Sequence, residues 1–185
     1  MSVRTAPPYY YNSAANGNVI LRTTVKGNPT PLARPRISRK MKGGHVYSPS
    51  SPKVRAFKDA IKDHVVEAPA TKAVNLPRKA KRGDDSAVYY GVWLVFNLPR
   101  PKYHFIANDP GRRLKEHFSG MRFVAKRPDL DNLVKFVLDG LIGIAIEDDA
   151  AVVELHAIKK WDDEDDNEGS TCVLVKKFDT NEMKG

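Results

Sequence analysis

Apolar and β-branched positions dominate Asn18-Val-Ile-Leu-Arg-Thr-Thr-Val-Lys26, a run that stops at Gly27-Asn-Pro29 and predicts a first strand. From Ser50-Ser-Pro52 the period changes. A hydroxyl cap followed by proline opens a helix, and Val54, Phe57, Ile61 and Val65 recur at helical spacing to about Glu67. Ala87-Val-Tyr-Tyr-Gly-Val-Trp-Leu-Val-Phe-Asn97 has the aromatic and β-branched content of a central strand. A second helix follows Asp129 as its cap, with Leu130, Leu133, Val134, Val137, Leu138 and Leu141 on one face at ~100° per residue. Residues 151–158 then alternate as a half-buried strand. A last strand, Ser170 to Phe178, is expected to pair with it across the polar turn at 162–169. That turn lacks the ligand spacing of a calcium-binding helix-loop-helix site and reads as a solvated hairpin tip.

The intervening stretches are Pro-, Gly- and Lys/Arg-rich. Residues 1–17 read as a disordered tail, 68–86 as a connection, 98–127 as a long irregular segment, and 179–185 as a C-terminal tail. One domain over 18–178 is therefore expected, of α+β class, with a mixed sheet of about four strands and two helices on one face. Strand order does not follow from the pattern. No apolar run reaches the ~20 residues that span a bilayer, and residues 1–11 lack the apolar core of a signal peptide, so a cytoplasmic protein with no membrane partner is expected. A single cysteine, Cys172, excludes an internal disulfide framework and a thiolate zinc site.

Charge sharpens the picture. The net charge is +9, but residues 1–127 hold 25 Lys/Arg against 7 Asp/Glu, whereas 128–185 hold 6 against 15. Arg34, Arg36, Arg39, Lys40 and Lys42 fall in one loop, Arg78, Lys79, Lys81 and Arg82 in another, and Lys126-Arg127 lead into the second helix. Basic surface of that density attracts a polyphosphate and gains affinity by releasing its counterions. The first loop and Lys126-Arg127 are the candidate DNA contacts.

Against this basic background, carboxylates gather in Lys126-Arg-Pro-Asp-Leu-Asp-Asn-Leu-Val-Lys135 and in Ile146-Glu-Asp-Asp149. Like charges drawn together repel, so such a group implies a divalent cation, a shared proton or a surface loop. Asp131, Lys135 and Asp139 share a helical stripe, and spacing of that kind also supports an exposed helix. This explains Asp139, which is taken as structural. Asp129 and Asp131 stand at the first turn, where interaction with the helix dipole is the plainer alternative. Phosphodiester hydrolysis needs a nucleophilic water and neutralised phosphate charge, which carboxylate-held magnesium supplies.

Pro128-Asp-Leu-Asp-Asn-Leu-Val-Lys135, Val137-Leu-Asp-Gly-Leu141, and Glu147-Asp-Asp-Ala-Ala-Val-Val153 followed by Lys159-Lys160 together resemble the signature of the RusA family of Holliday junction resolvases. Gly27-Asn-Pro-Thr-Pro-Leu-Ala-Arg-Pro-Arg36, with Val46-Tyr47 and the ensuing helix, resembles that family's first strand and basic loop, so the similarity runs over about residues 19–178. The resemblance implies a metal-dependent endonuclease that acts as a homodimer and introduces paired nicks in a four-way DNA junction. It places the catalytic carboxylates on Asp129, Asp131 and Asp149, the essential lysine on Lys135, and Asp148 beside them as a metal ligand. Magnesium is the implied cofactor, with manganese as the alternative. Two departures stand out: a tail with an inserted basic segment near 99–127, and a turn before the Asp pair that is a residue shorter. Two other readings stay open, a nuclease of flaps or forks and a non-catalytic DNA-binding protein whose carboxylates are caps and turn residues.

Overall fold

The structure is a computed structural model that describes residues 18–33, 36–38, 45–47, 51–67 and 89–178. The predicted tails, the 68–86 connection with Arg78, Lys79, Lys81 and Arg82, and Arg34, Arg39, Lys40 and Lys42 lie outside the described residues. Strand β1 (Asn18–Lys26) is followed by a short hairpin, β2 (Arg36–Ser38) with β3 (His45–Tyr47), within what reads in sequence as a basic loop. Helix α1 (Ser51–Glu67) comes next, then β4 (Tyr89–Leu98), the one-turn helix α2 (Glu116–Ser119), α3 (Leu130–Leu141), β5 (Val152–Trp161) and β6 (Ser170–Phe178).

The four long strands form one mixed sheet in the order β1-β6-β4-β5, with β4 and β5 parallel and the other neighbours antiparallel. This is the α+β arrangement expected from the alternation, with α1 and α3 packed on one face. The predicted β5–β6 hairpin does not form, because β4 lies between them. The acidic segment after β5 steps over the end of β4, and it is anchored there. Buried Asp162 donates from its amide to the Leu98 carbonyl, and its carboxylate accepts from the amides of Glu164 and Gly169. Lys26 reaches the same segment, pairing with Glu164 and, at 3.2 Å, with Asp166. A carboxylate that organises a turn in this way is spent on structure.

β4 is buried almost throughout, as a central strand covered on both faces must be. Tyr90, Val92, Leu94 and Phe96 meet Leu21, Val173, Val175 and the helices, while Trp93 joins Leu174 and Phe178 on the opposite face. The Trp93 ring lies back over Gly91, where a Cβ would come within 2.5 Å of it. A second close approach sets the helices: a Cβ on Gly140 of α3 would stand 2.5 Å from the Phe57 ring of α1. Phe57 also meets Phe136 edge to face at 5.4 Å. The buried side of α3 is therefore wider than the predicted stripe and rotated from it. Leu133, Val134, Phe136, Val137, Gly140 and Leu141 are inside, and Leu130 is exposed, because α3 packs against a helix as well as a sheet.

The segment 99–127, read in sequence as irregular, is tied down by one buried cation. The Arg100 guanidinium donates to the carbonyls of Asp162, Phe118 and Met121 and to the Asp163 carboxylate, while Asn167 brackets its backbone. His104 is buried beside it, stacked on Phe118 at 3.9 Å and edge-on to Trp161 at 4.9 Å. Burial, assisted by the charges of Arg100 and Lys126, holds its imidazole below the ordinary proton affinity.

The unfolded chain takes up that proton near the ordinary value of 6.5 and the folded chain only at lower pH. Stability therefore declines as pH falls through the interval between those two values. The thermal midpoint is expected to drop between pH 7.5 and 5 in the native chain and to vary less over that interval in His104→Phe. Parallel profiles for the two proteins would show that His104 is not the group responsible.

Candidate active site

The approach to α3 is held from beneath by β5. Lys159 donates from its ammonium to the backbone carbonyls of Lys126 (2.6 Å) and Pro128 (2.7 Å). The Trp161 amide donates to the Arg122 carbonyl, Phe123 bridges Lys160, and the Leu32 amide donates to the Asn132 carbonyl from the other side. These contacts leave Lys126 and Arg127 exposed on the lip of a cleft of about 830 Å³ that also includes Asp129 and Asn132.

Asp129 occupies the N-cap position of α3, with extended backbone angles of φ −70° and ψ 141°, yet its side chain makes no capping hydrogen bond. Its carboxylate is exposed and uncommitted among the described residues. The capping alternative thus does not account for it. Asp131 and Lys135 are likewise exposed one helical turn apart, and neither forms an ion pair or side-chain hydrogen bond among the described residues. Helix-supporting pairing fails for the same reason, since Asp131, Lys135 and half-buried Asp139 stay separate.

The Asp pair after α3 divides its labour. Asp148 accepts a hydrogen bond from the Ala150 amide at 3.0 Å and so caps the 3₁₀ turn Asp149–Ala151. Asp149 opens that turn, exposed and without a side-chain partner among the described residues. The pair does not lie beside Asp129 and Asp131. Lys159 sits under the start of α3, and the strand from Lys159 back to Val152 measures roughly 23 Å at the usual rise, with Asp149 beyond it. The Ile146 amide donates to the Leu141 carbonyl, which keeps this turn at the far end of a helix about 18 Å long. Accordingly no three His, Cys, Asp or Glu side chains gather around a common metal position among the described residues.

Of the predicted DNA contacts, Lys126 and Arg127 flank Asp129, and Arg36 opens β2. Tyr103, Asn132, Lys159 and Trp161 were not among the predicted site residues, yet all four border or brace the same cleft. Asn132 and Lys159 were visible inside the motifs. Tyr103 had only a weak signal, an aromatic in a proline- and cation-rich stretch, and Trp161 had none beyond closing a strand.

The difference between the paired carboxylates is measurable. Asp148→Ala is expected to lower stability by about 1 kcal/mol, the usual scale for a lost cap, while Asp149→Ala leaves it within about 0.5 kcal/mol. Equal losses in denaturant melts would contradict this division.

The comparison with known families follows this geometry. The family model described as Endodeoxyribonuclease RusA matches residues 26–168, a span that takes in β1's end, both helices, the cleft and both carboxylate segments. No curated protein sequence matches the chain. With most of its length covered by that match, the chain belongs to the RusA family of endodeoxyribonucleases, whose members act on Holliday junctions.

Proposed function

We propose that the protein is a magnesium-dependent endonuclease that resolves four-way DNA junctions by paired nicks, working as a homodimer in the cytoplasm of a bacterial or phage-infected cell. The observation that carries this reading is a set on the open side of α3 that is uncommitted among the described residues: Asp129, Asp131 and Lys135, next to the exposed cations Lys126 and Arg127. Carboxylates held near one another repel, and a shared cation relieves that repulsion.

Carboxylate oxygens are the hard donors that magnesium takes, and Asp129, Asp131 and Asp149 are free to serve, so the donor chemistry fits. Their number within one protomer does not, which gives the second copy a chemical role. β5 is the edge of the sheet, and over 152–158 its outer side has no strand partner among the described residues. Val153 and Leu155 there are 47% and 45% exposed. An apolar open edge invites pairing with another copy. Two-fold antiparallel association sets the start of one β5 beside the later part of its partner's, and so carries Asp149 of each protomer toward Asp129 and Asp131 of the other. A two-fold dimer with two such centres matches the two opposed strands of a junction.

Bound magnesium would supply charge to the scissile phosphoryl oxygen and acidify a water. The chain's own groups do the remainder. Lys126 and Arg127 hold the phosphate backbone without reading sequence, with Arg34, Arg36, Arg39, Lys40 and Lys42 extending that contact. The flexible Lys135 ammonium donates to the phosphate as negative charge builds on it. Asp148 keeps the turn that presents Asp149.

Asp129→Asn, Asp131→Asn and Asp149→Asn are each expected to lower magnesium-dependent nicking of a synthetic junction by about 10²–10³-fold while leaving binding intact. Near-native cutting by all three would refute the assignment. Comparison of junction, flap and linear duplex separates this substrate from other branched DNA.

Shared centres make a further demand: a mixture of Asp129→Asn and Asp149→Asn protomers regains nicking, because each heterodimer keeps one intact set. Leu155→Glu is expected to sediment as a folded monomer that cuts poorly. No regain on mixing, or a fully active monomer, would place every ligand in one chain.

A further inference from the structure

We propose that the cleft beside Asp129 receives a single unstacked nucleobase of the bound DNA, with Tyr103 as its stacking platform. The proposal rests on the nuclease reading of the neighbouring carboxylates and extends it to how the strand is positioned. Its volume of about 830 Å³ lies within the range of roughly 300–1,000 Å³ in which small ligands are bound. Pro29, Pro31, Pro99, Pro101 and Pro128 form much of the wall. Proline loses almost no side-chain entropy on contact, so these surfaces are apolar and already set.

Tyr103 stands at this wall with half of its surface open. Its ring is held in T-shaped contacts with His104 at 4.7 Å and Phe118 at 5.8 Å, and its hydroxyl accepts from the Lys126 ammonium at 2.8 Å. An aromatic ring fixed in this way is ready to stack without being ordered by the ligand.

The polar groups of the lining differ in what they can offer a ligand. Trp161 is only 7% exposed and its indole N–H is closed off from the cleft, so it contributes ring surface and not a donor. The Asn132 side-chain amide is uncommitted among the described residues and is the group free to meet a ligand. A nucleobase meets both requirements together: a π face for Tyr103, and mixed donor and acceptor groups for the Asn132 amide. Lys126 and Arg127 on the lip match the phosphates on either side of such a base. The bases at a branch point are the ones with the least stacking to give up.

The test uses four-way junctions that each lack one base at a position near the branch, bound by the full chain without divalent metal and then cut in magnesium. One abasic position is expected to weaken native binding about tenfold, the scale of one base–aromatic stack. Tyr103→Ala should lose about the same factor on the intact junction and nothing more on that abasic one. Tyr103→Phe should behave as native, and Asn132→Ala should narrow the preference among bases at that position. Native binding that is indifferent to every abasic site, or equal sensitivity in native protein and Tyr103→Ala, would overturn the proposal. The first of these readouts needs no variant, so a poorly folding substitution does not obscure it. Base-dependent binding without any cutting would sink the nuclease reading and leave the receptor standing, whereas ordinary cutting with no base dependence would do the reverse. Absence of junction binding would overturn both.

Discussion

The parallel pairing of β4 with β5 governs what this chain can do. Antiparallel neighbours can be joined by a tight turn, but parallel ones need a crossover that returns the chain to the starting end of the sheet. The crossover here runs from Pro99 to Ala151 and carries the candidate groups Tyr103, Lys126, Arg127, Asp129, Asp131, Lys135 and Asp149. Since α3 covers the sheet within this crossover, its two ends fall at opposite ends of β5. The separation of Asp129 and Asp131 from Asp149 is a direct result of that topology.

Packing decides which side of α3 meets water. The Gly140–Phe57 approach brings the two helices together, and Phe136 fills the space beside it. With so wide a buried side, Asp131 and Lys135 are left exposed one helical turn apart, and neither forms an ion pair among the described residues. Meanwhile Lys159 and Arg100 act as internal ammonium and guanidinium clamps on backbone carbonyls, the former under the approach to α3 and the latter under the inserted segment. Both satisfy carbonyls that no strand or helix would otherwise reach. The cleft wall is therefore rigid where it borders the candidate chemistry.

Charge is divided by role. Asp162 and Asp148 are used by turns, Asp109 is held by Arg113, and Glu164 and Asp166 by Lys26. The bonds to Arg113 and its amide keep the Asp109 carboxyl below the usual range, and the Glu168 amide does the same for Asp166. Asp129, Asp131 and Asp149 differ from all of these in accepting no side-chain hydrogen bond and forming no ion pair among the described residues. Acidic residues that look alike in a list are thus sorted by whether the fold has already given them a partner.

Much of this was legible in the residues themselves. Local rules sufficed for β1, for α1 beginning near Ser50-Ser-Pro52, for α3 beginning after Asp129, and for the Asp-Leu-Asp-Asn-Leu-Val-Lys block, because each depends on side chains within a few positions. What required the tertiary structure depends on residues far apart in the chain. The acidic segment became a crossover over β4 because pairing is chosen across the sheet. Leu130 lost its place in the core to Phe136 because α1 arrives from more than sixty residues upstream. Trp161, Tyr103 and five prolines from three segments form one cleft that no window of sequence contains. Periodicity and composition are local sums and determine elements and chemistry, whereas proximity is a property of the folded chain, set by which apolar faces can be covered together.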